Sequence, residues 1–111
     1  MKIATYNLWN SREDFRDRAE RAAAVLRQLD ADLVCLQEVR AEFSSRYQHV
    51  AHYLADQLSY PFMAFEQYPD EDEGLAVLSR YPISDSLTNC ACKIVQPCRR
   101  SSPLQVWTYA F

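Results

Sequence analysis

The sequence predicts a single domain of the α/β (α+β) class, and three observations carry this prediction. The chain has 111 residues, which is enough for one core of ordinary size and too few for two. Hydrophobic residues make up 49% of the chain and charged residues 24%, which is a globular composition. The apolar pattern then changes from strand to helix and back to strand within about 35 residues, which is typical of a βαβ unit with parallel strands.

The elements of this βαβ unit follow from the spacing of apolar residues. Alternation over 2–8 predicts a first strand with Asn7 close to its end. Apolar residues then recur at intervals of three and four over 14–29, which predicts a helix, and Ser11 is its expected N-cap. A second strand is predicted at 32–37, where an unbroken apolar run is typical of a strand covered on both faces.

The next part of the chain predicts another helix and a pair of strands. A helical stripe extends over 45–58, and Pro61 prevents its continuation. Strands are predicted at 61–68 and 74–80, and the loop that joins them, 69–73, is acidic. Because the connection is short, we expect these two strands to be antiparallel.

The chain divides in character near Ser84. Residues 1–83 have the regular patterns described above, and we interpret 84–111 as a divergent or truncated continuation of the same domain, ending inside a strand. Three cysteines in this second part have the spacing C-x-C-x₅-C without a fourth ligand nearby, so a structural zinc site is not predicted. These are Cys90, Cys92 and Cys98.

Charge and composition exclude several classes of function. The chain carries 12 basic and 15 acidic residues, for a net charge of −3, so it is not a strongly basic coat for nucleic acid. Its single glycine, Gly74, excludes a glycine-rich phosphate loop. We predict no membrane span and no secretory signal. With only four cysteines, we expect a reducing, cytoplasmic location.

Two polar residues follow the predicted parallel strands. Asn7 lies at the end of the first and Glu38 at the end of the second, and ligands of open α/β sheets collect at such ends. An amide oxygen and a carboxylate suit Mg²⁺ or Mn²⁺. The alternative from spacing alone is that Asn7 caps a turn and that Glu38 is a surface residue.

Three segments in order resemble one enzyme family. Residues 2–9 (KIATYNLW), 30–39 (DADLVCLQEV) and 73–83 (EGLAVLSRYPI) are similar to motifs of the endonuclease/exonuclease/phosphatase superfamily. This resemblance implies a four-layer α/β/β/α sandwich that cleaves phosphate esters with Mg²⁺ or Mn²⁺.

The resemblance also implies roles for individual residues. Glu38 would be the main protein ligand of the metal, and Asn7 would lie beside the metal and help to hold it. Glu73 matches an acid that supports a catalytic histidine in some members. Gln37 accompanies the glutamate of the second motif and would orient or pack.

The family's remaining motifs are absent from the sequence. It has no Asp-x-Asn segment, no Asn-x-His strand and no Asp-His pair. We therefore expect the N-terminal part of a divalent-metal-dependent phosphoesterase, inactive alone and completed by a missing C-terminal half. Its substrate would be a nucleic acid, a phosphorylated metabolite or a lipid headgroup. The alternative is a non-catalytic, truncated or degenerate half-domain that acts as a binding module.

A few aromatic residues and histidines allow two interpretations each. Trp9 and Tyr68, near predicted strand ends, could stack a base or pack in the core. His49 and His52, on the second predicted helix, are expected to be surface or partly packed residues because a metal site needs a cluster of ligands.

Overall fold

The computed structural model of this protein describes residues 1–10, 13–83 and 104–108. Cys90, Cys92 and Cys98 lie outside these residues. Within them, no helix is long and apolar enough to cross a membrane. The elements, in chain order, are β1 (Lys2–Asn7), α1 (Phe15–Leu29), β2 (Leu33–Arg40), α2 (Val50–Leu58), β3 (Phe62–Gln67), β4 (Glu73–Ser79) and β5 (Leu104–Thr108).

The described strands form one sheet in the order β3-β4-β2-β1-β5. β1 and β2 are parallel, so the predicted βαβ unit is confirmed. β3 and β4 are antiparallel neighbours, as their short connection predicts. The sheet is therefore mixed, and the predicted α/β class is confirmed.

Both helices pack against one face of this sheet. Leu26 of α1 and Leu54 of α2 share a buried core with Val34 and Leu36 of β2. Leu33, Cys35 and Val77 form a second, smaller buried cluster. β2 is thus covered on both faces, which explains its unbroken apolar run.

The helices begin later than the sequence predicts. The N-cap position of α1 is Asp14, so the expectation for Ser11, which lies outside the described residues, was wrong. The Asp14 carboxylate makes no capping hydrogen bond and lies 3.2 Å from Nε of Arg18 instead. α2 begins at Val50 rather than at residue 45, because the Nδ1 atom of His49 accepts the first-turn N–H of His52.

Candidate functional site

Strand β2 contains a β-bulge at Glu38. The register with β4 shifts between Leu36 and Val39, so Gln37 and Glu38 together oppose a single residue of β4. Glu38 has a φ of 53°, in the left-handed region that is uncommon for a residue with a Cβ. Bulges of this kind occur beside active sites, where they redirect a side chain.

The bulge keeps Glu38 out of the apolar core. Val34 and Leu36 face the helices, and regular alternation would place Glu38 on the same face. The extra residue instead places Val39 there, fully buried. Glu38 is only half-buried and so avoids the large cost of burying an ionised carboxylate among apolar side chains.

Asn7 lies on the neighbouring parallel strand, where its Cα pairs with that of Gln37. Its Oδ1 accepts the backbone N–H of Trp9 at 2.9 Å, so the turn-capping interpretation from the sequence describes a real contact. A carbonyl oxygen has two lone pairs. The cap therefore leaves Asn7 able to face a cation as well.

Gln37 connects the two strands just before they end. Its Nε2 atom donates to Oγ1 of Thr5 at 2.5 Å and to the carbonyl oxygen of Cys35 at 3.2 Å. Thr5 and Gln37 are both buried. These contacts stabilise the relative position of β1 and β2.

Glu73 begins β4 and lies within electrostatic reach of Glu38. Burial raises the pKa of Glu73, a hydrogen bond from Asn10 opposes this rise, and the negative charge of Glu38 adds to it. The Asn10 Nδ2 atom lies 3.3 Å from Oε2 of Glu73. Two carboxylates that repel each other are a suitable environment for a divalent cation, because the ion relieves the repulsion.

Glu38 also lines a small cavity near the carboxyl ends of β1 and β2. The cavity is lined by a carboxylate, two guanidinium groups and an indole together with apolar side chains. Its other lining residues are Leu8, Trp9, Asn10, Phe15, Arg18, Ala19, Arg40 and Val50.

The sequence analysis assigned no role to Arg40, which is central to this cavity. Its guanidinium carbon lies 4.4 Å from the ring centroid of Phe15. One terminal nitrogen lies 3.4 Å from Oδ1 of Asn10 and 3.7 Å from Oδ2 of Asp72. Its buried Nε has no hydrogen-bond partner among the described residues. The sequence signal was weak, because Arg40 is one of ten arginines and only its position two residues after Glu38 distinguishes it.

The two histidines accept backbone hydrogen bonds at the start of α2. Nδ1 of His49 accepts the N–H of His52, and Nδ1 of His52 accepts the N–H of Gln48. The Nδ1 lone pair of each ring is therefore engaged by a backbone N–H group and is not available to an ion. In the part of the chain that the structure describes, no three His, Cys, Asp or Glu residues cluster as metal ligands. Any ion at Glu38 would have few protein ligands, which is usual for Mg²⁺.

The fold and this site define a mixed α/β protein that has amide and carboxylate side chains at the carboxyl ends of two parallel strands. A model of the endonuclease/exonuclease/phosphatase family matches residues 4–107, and the chain belongs to that family. No curated protein matches the sequence.

Solved structures share the fold. An endonuclease/exonuclease/phosphatase family protein from Leptotrichia buccalis C-1013-b has a TM-score of 0.56 at 22% identity, covering 76% of this chain and 38% of its own. A humanized D. rerio TDP2 with 14 mutations has a TM-score of 0.54 at 20% identity, covering 72% of this chain and 30% of its own. The chain thus spans well under half the length of these proteins, which fits the N-terminal half of the family fold.

Proposed function

We propose that this chain is the metal-binding part of a divalent-metal-dependent phosphoesterase. In this proposal Glu38 is the main protein ligand of Mg²⁺ or Mn²⁺, Asn7 helps to hold the ion, and Glu73 supports the site. Residues 1–83 are the N-terminal part of the catalytic domain, and 84–111 continue the same domain. The observation that carries the proposal is the left-handed bulge that presents Glu38 beside the end of β1.

The donor chemistry fits such an ion. Carboxylate and amide oxygens are the hard ligands that Mg²⁺ and Mn²⁺ prefer. The raised pKa of Glu73 reflects in part the negative charge of Glu38, which a bound cation would offset. When bound, the ion would polarise a phosphoryl oxygen of the substrate.

The residues of this chain would hold the metal site in place, but they would not be sufficient for hydrolysis. Gln37 holds β1 against β2, and Asn10 orients the Glu73 carboxylate. Hydrolysis also needs a positioned water and groups that stabilise the phosphate charge, and the family motifs for these are absent from the sequence. We therefore expect negligible activity from this chain alone. The family assignment does not favour the non-catalytic module.

Binding of Mn²⁺ followed by NMR tests the assignment of the ligands. A paramagnetic ion broadens the signals of nearby nuclei, so we expect selective loss of the amide signals of Asn7, Leu8, Glu38 and Glu73. The Glu38→Gln variant, nearly the same in size but uncharged, should lose this pattern. The Glu66→Gln variant is the matched control, because Glu66 is an exposed strand glutamate on β3 and should leave the pattern unchanged.

Two results would overturn the proposal. Broadening centred on Asp70 and Asp72 would move the ion to the acidic loop. Broadening that is the same in the Glu38→Gln variant would remove Glu38 from the site. Addition of EDTA should restore every lost signal. We expect this chain to hydrolyse bis(4-nitrophenyl) phosphate no faster than the background rate.

A further inference from the structure

A groove lies between helix α2 and strand β3, away from the candidate metal site. Its volume is about 560 Å³, which is within the range of ligand sites in proteins. One wall is the outer face of α2 with its C-terminal cap, and the other is the beginning of β3. The residues that form these walls include His52, Ala55, Asp56 and Ser59 on the helix side and Pro61 and Met63 on the strand side.

Strand β3 has an open edge beside this groove. It is the last strand on its side of the described sheet. The backbone N–H of Tyr68, directly after β3, donates to the carbonyl oxygen of Glu73 at 3.0 Å. Residues that exchange such bonds in an antiparallel pair alternate with residues whose backbone groups point the other way. Counting back along the continuous register of β3 and β4, Met63 and Phe65 direct their N–H and C=O groups towards the open edge.

This edge has few of the features that prevent strand pairing. Edge strands commonly carry lysine, proline or a bulge, which discourage the addition of another strand. Residues 62–65 (FMAF) contain no charged residue and no proline, and β3 pairs with β4 without a register shift. Phe62 is also 38% exposed. The backbone groups and the apolar surface of β3 can therefore accept a further strand.

The charge of the groove favours a basic side chain. Asp56 is the one Asp, Glu, Lys or Arg among the described residues that line it. It lies in the last turn of α2, which contains no basic residue, and the helix dipole there favours a cation. Its Oδ2 atom accepts the Tyr47 hydroxyl at 2.6 Å, and a carboxylate can accept several hydrogen bonds. Arg27 of α1 donates to the carbonyl oxygen of Gln57, which leaves Asp56 able to pair with an added cation.

We propose that the open edge of β3 binds an extended, basic segment of a partner protein as an additional strand. The backbone of the segment hydrogen-bonds to Met63 and Phe65, and a lysine or arginine side chain enters the groove beside Asp56. In this mode of recognition the main-chain bonds provide affinity and the pockets for alternate side chains provide specificity.

The groove and the candidate metal site lie at opposite ends of the sheet. Phe62 and Leu33 both pair with Ser79, so the groove is level with the beginning of β2. Glu38 lies near the other end of that strand. A segment bound at the groove would therefore leave the metal site accessible, and this inference does not depend on the proposed function.

Amide hydrogen exchange of the full chain, followed by NMR, tests the proposal with defined peptides. The basic peptide is Ac-TVKVT-NH₂, and Ac-TVEVT-NH₂ is its acidic counterpart. We expect the basic peptide to slow exchange at Met63 and Phe65 by about tenfold. Exchange at Ala64 and Glu66 should not change, because their N–H groups already face β4. The basic peptide should bind about fivefold more tightly than the acidic one.

Two variants and a modified peptide separate the contributions of charge and backbone. Asp56→Asn keeps an oxygen for the Tyr47 hydroxyl and should reduce the preference for the basic peptide below about twofold, while the exchange pattern remains. Asp17→Asn is the matched control, because Asp17 is exposed in the first turn of α1, and it should keep the full preference. The basic peptide with methylated backbone nitrogens retains its charge but has no strand donors, so it should not bind.

Several results would contradict strand addition. Unchanged exchange at Met63 and Phe65 with the basic peptide, or equal binding of the methylated peptide, would exclude it. Equal affinity of the wild-type chain for the basic and acidic peptides would exclude the role of Asp56. Protection of both amides that increases with protein concentration in the absence of peptide would identify a second copy of this chain as the occupant instead. The Mn²⁺ experiment is unaffected by each of these outcomes.

Discussion

Arg80, which follows β4, donates a hydrogen bond from its guanidinium to Oδ1 of Asp32 at 3.2 Å. It also pairs with Asp30, and the Oδ2 atom of Asp32 accepts the backbone N–H of Lys2 at 2.8 Å. These contacts therefore connect β1, β2 and β4 at the ends of the strands that lie opposite Glu38. The arginine of the third sequence motif and the aspartates of the second have a structural role, distinct from that of the candidate site.

This connection predicts a specific loss of stability in acid. The backbone N–H of Lys2 lowers the pKa of Asp32, burial opposes this, and Arg80 lowers it further. A carboxyl with a depressed pKa contributes stability above its unfolded pKa, about 3.9, and the contribution disappears as the pH falls through the folded pKa. We expect the Asp32→Asn variant to be less stable at pH 7 and to lose less stability below about pH 4.

Urea unfolding at a series of pH values measures this effect. The Glu66→Gln variant is the control, because that exposed glutamate should leave the acid dependence as it is. An Asp32→Asn protein with the same loss of stability in acid as the wild type would show that other carboxyls cause it.

The bulge predicts that stability and metal binding respond differently at position 38. Glu38→Gly and Glu38→Ala both remove the carboxylate, but only glycine adopts a φ of 53° without a steric cost. We expect the glycine variant to be more stable than the alanine variant by about 1 kcal/mol. Both should lose Mn²⁺ binding. Chemical denaturation and the Mn²⁺ titration of the two proteins give the comparison, and equal stabilities would mean that the backbone at Glu38 is unstrained.

The sequence predicted the order of elements better than the details of the site. The apolar patterns predicted the existence and order of β1, α1, β2 and α2 because these patterns reflect burial in one core, but they placed the start of α2 five residues too early. The bulge left no signal, since a left-handed residue in a bulge is usually glycine and here it is Glu38. Three further residues reach the site only through tertiary contacts, namely Asn10, Arg18 and Arg40. Their spacing along the chain gives no indication of these contacts.

The chain's only glycine predicts a large effect of a small substitution. A Cβ built on Gly74 would overlap the carbonyl oxygen of Glu66 and lie 2.7 Å from Cα of Gln67. Both obstacles are backbone atoms of β3, which pairs with Gly74, so a rotamer change cannot relieve them. We expect Gly74→Ala to destabilise the protein by about 1–3 kcal/mol. Urea denaturation measures the change, and a loss below about 0.5 kcal/mol would mean that β3 moves away easily.

The cap of α2 predicts a second pH dependence, near neutrality. Nδ1 of His49 accepts the N–H of His52 at 3.0 Å, and its buried ring stacks on Phe65 with centroids 4.2 Å apart. Burial lowers the pKa of His49, and the charge of His52 lowers it further. Protonation would convert the capping acceptor into a donor.

The stability from a neutral His49 is complete above its unfolded pKa, about 6.5. It decreases as the pH falls below that value, because the unfolded chain then binds the proton more readily. We expect His49→Asn, which keeps a capping oxygen and cannot titrate in this range, to flatten the decrease between about pH 7 and 5. His49→Ala should instead cost about 1 kcal/mol at neutral pH through the lost cap. Thermal unfolding across this range tests both, and a His49→Asn variant that retains the full decrease would assign it to another group.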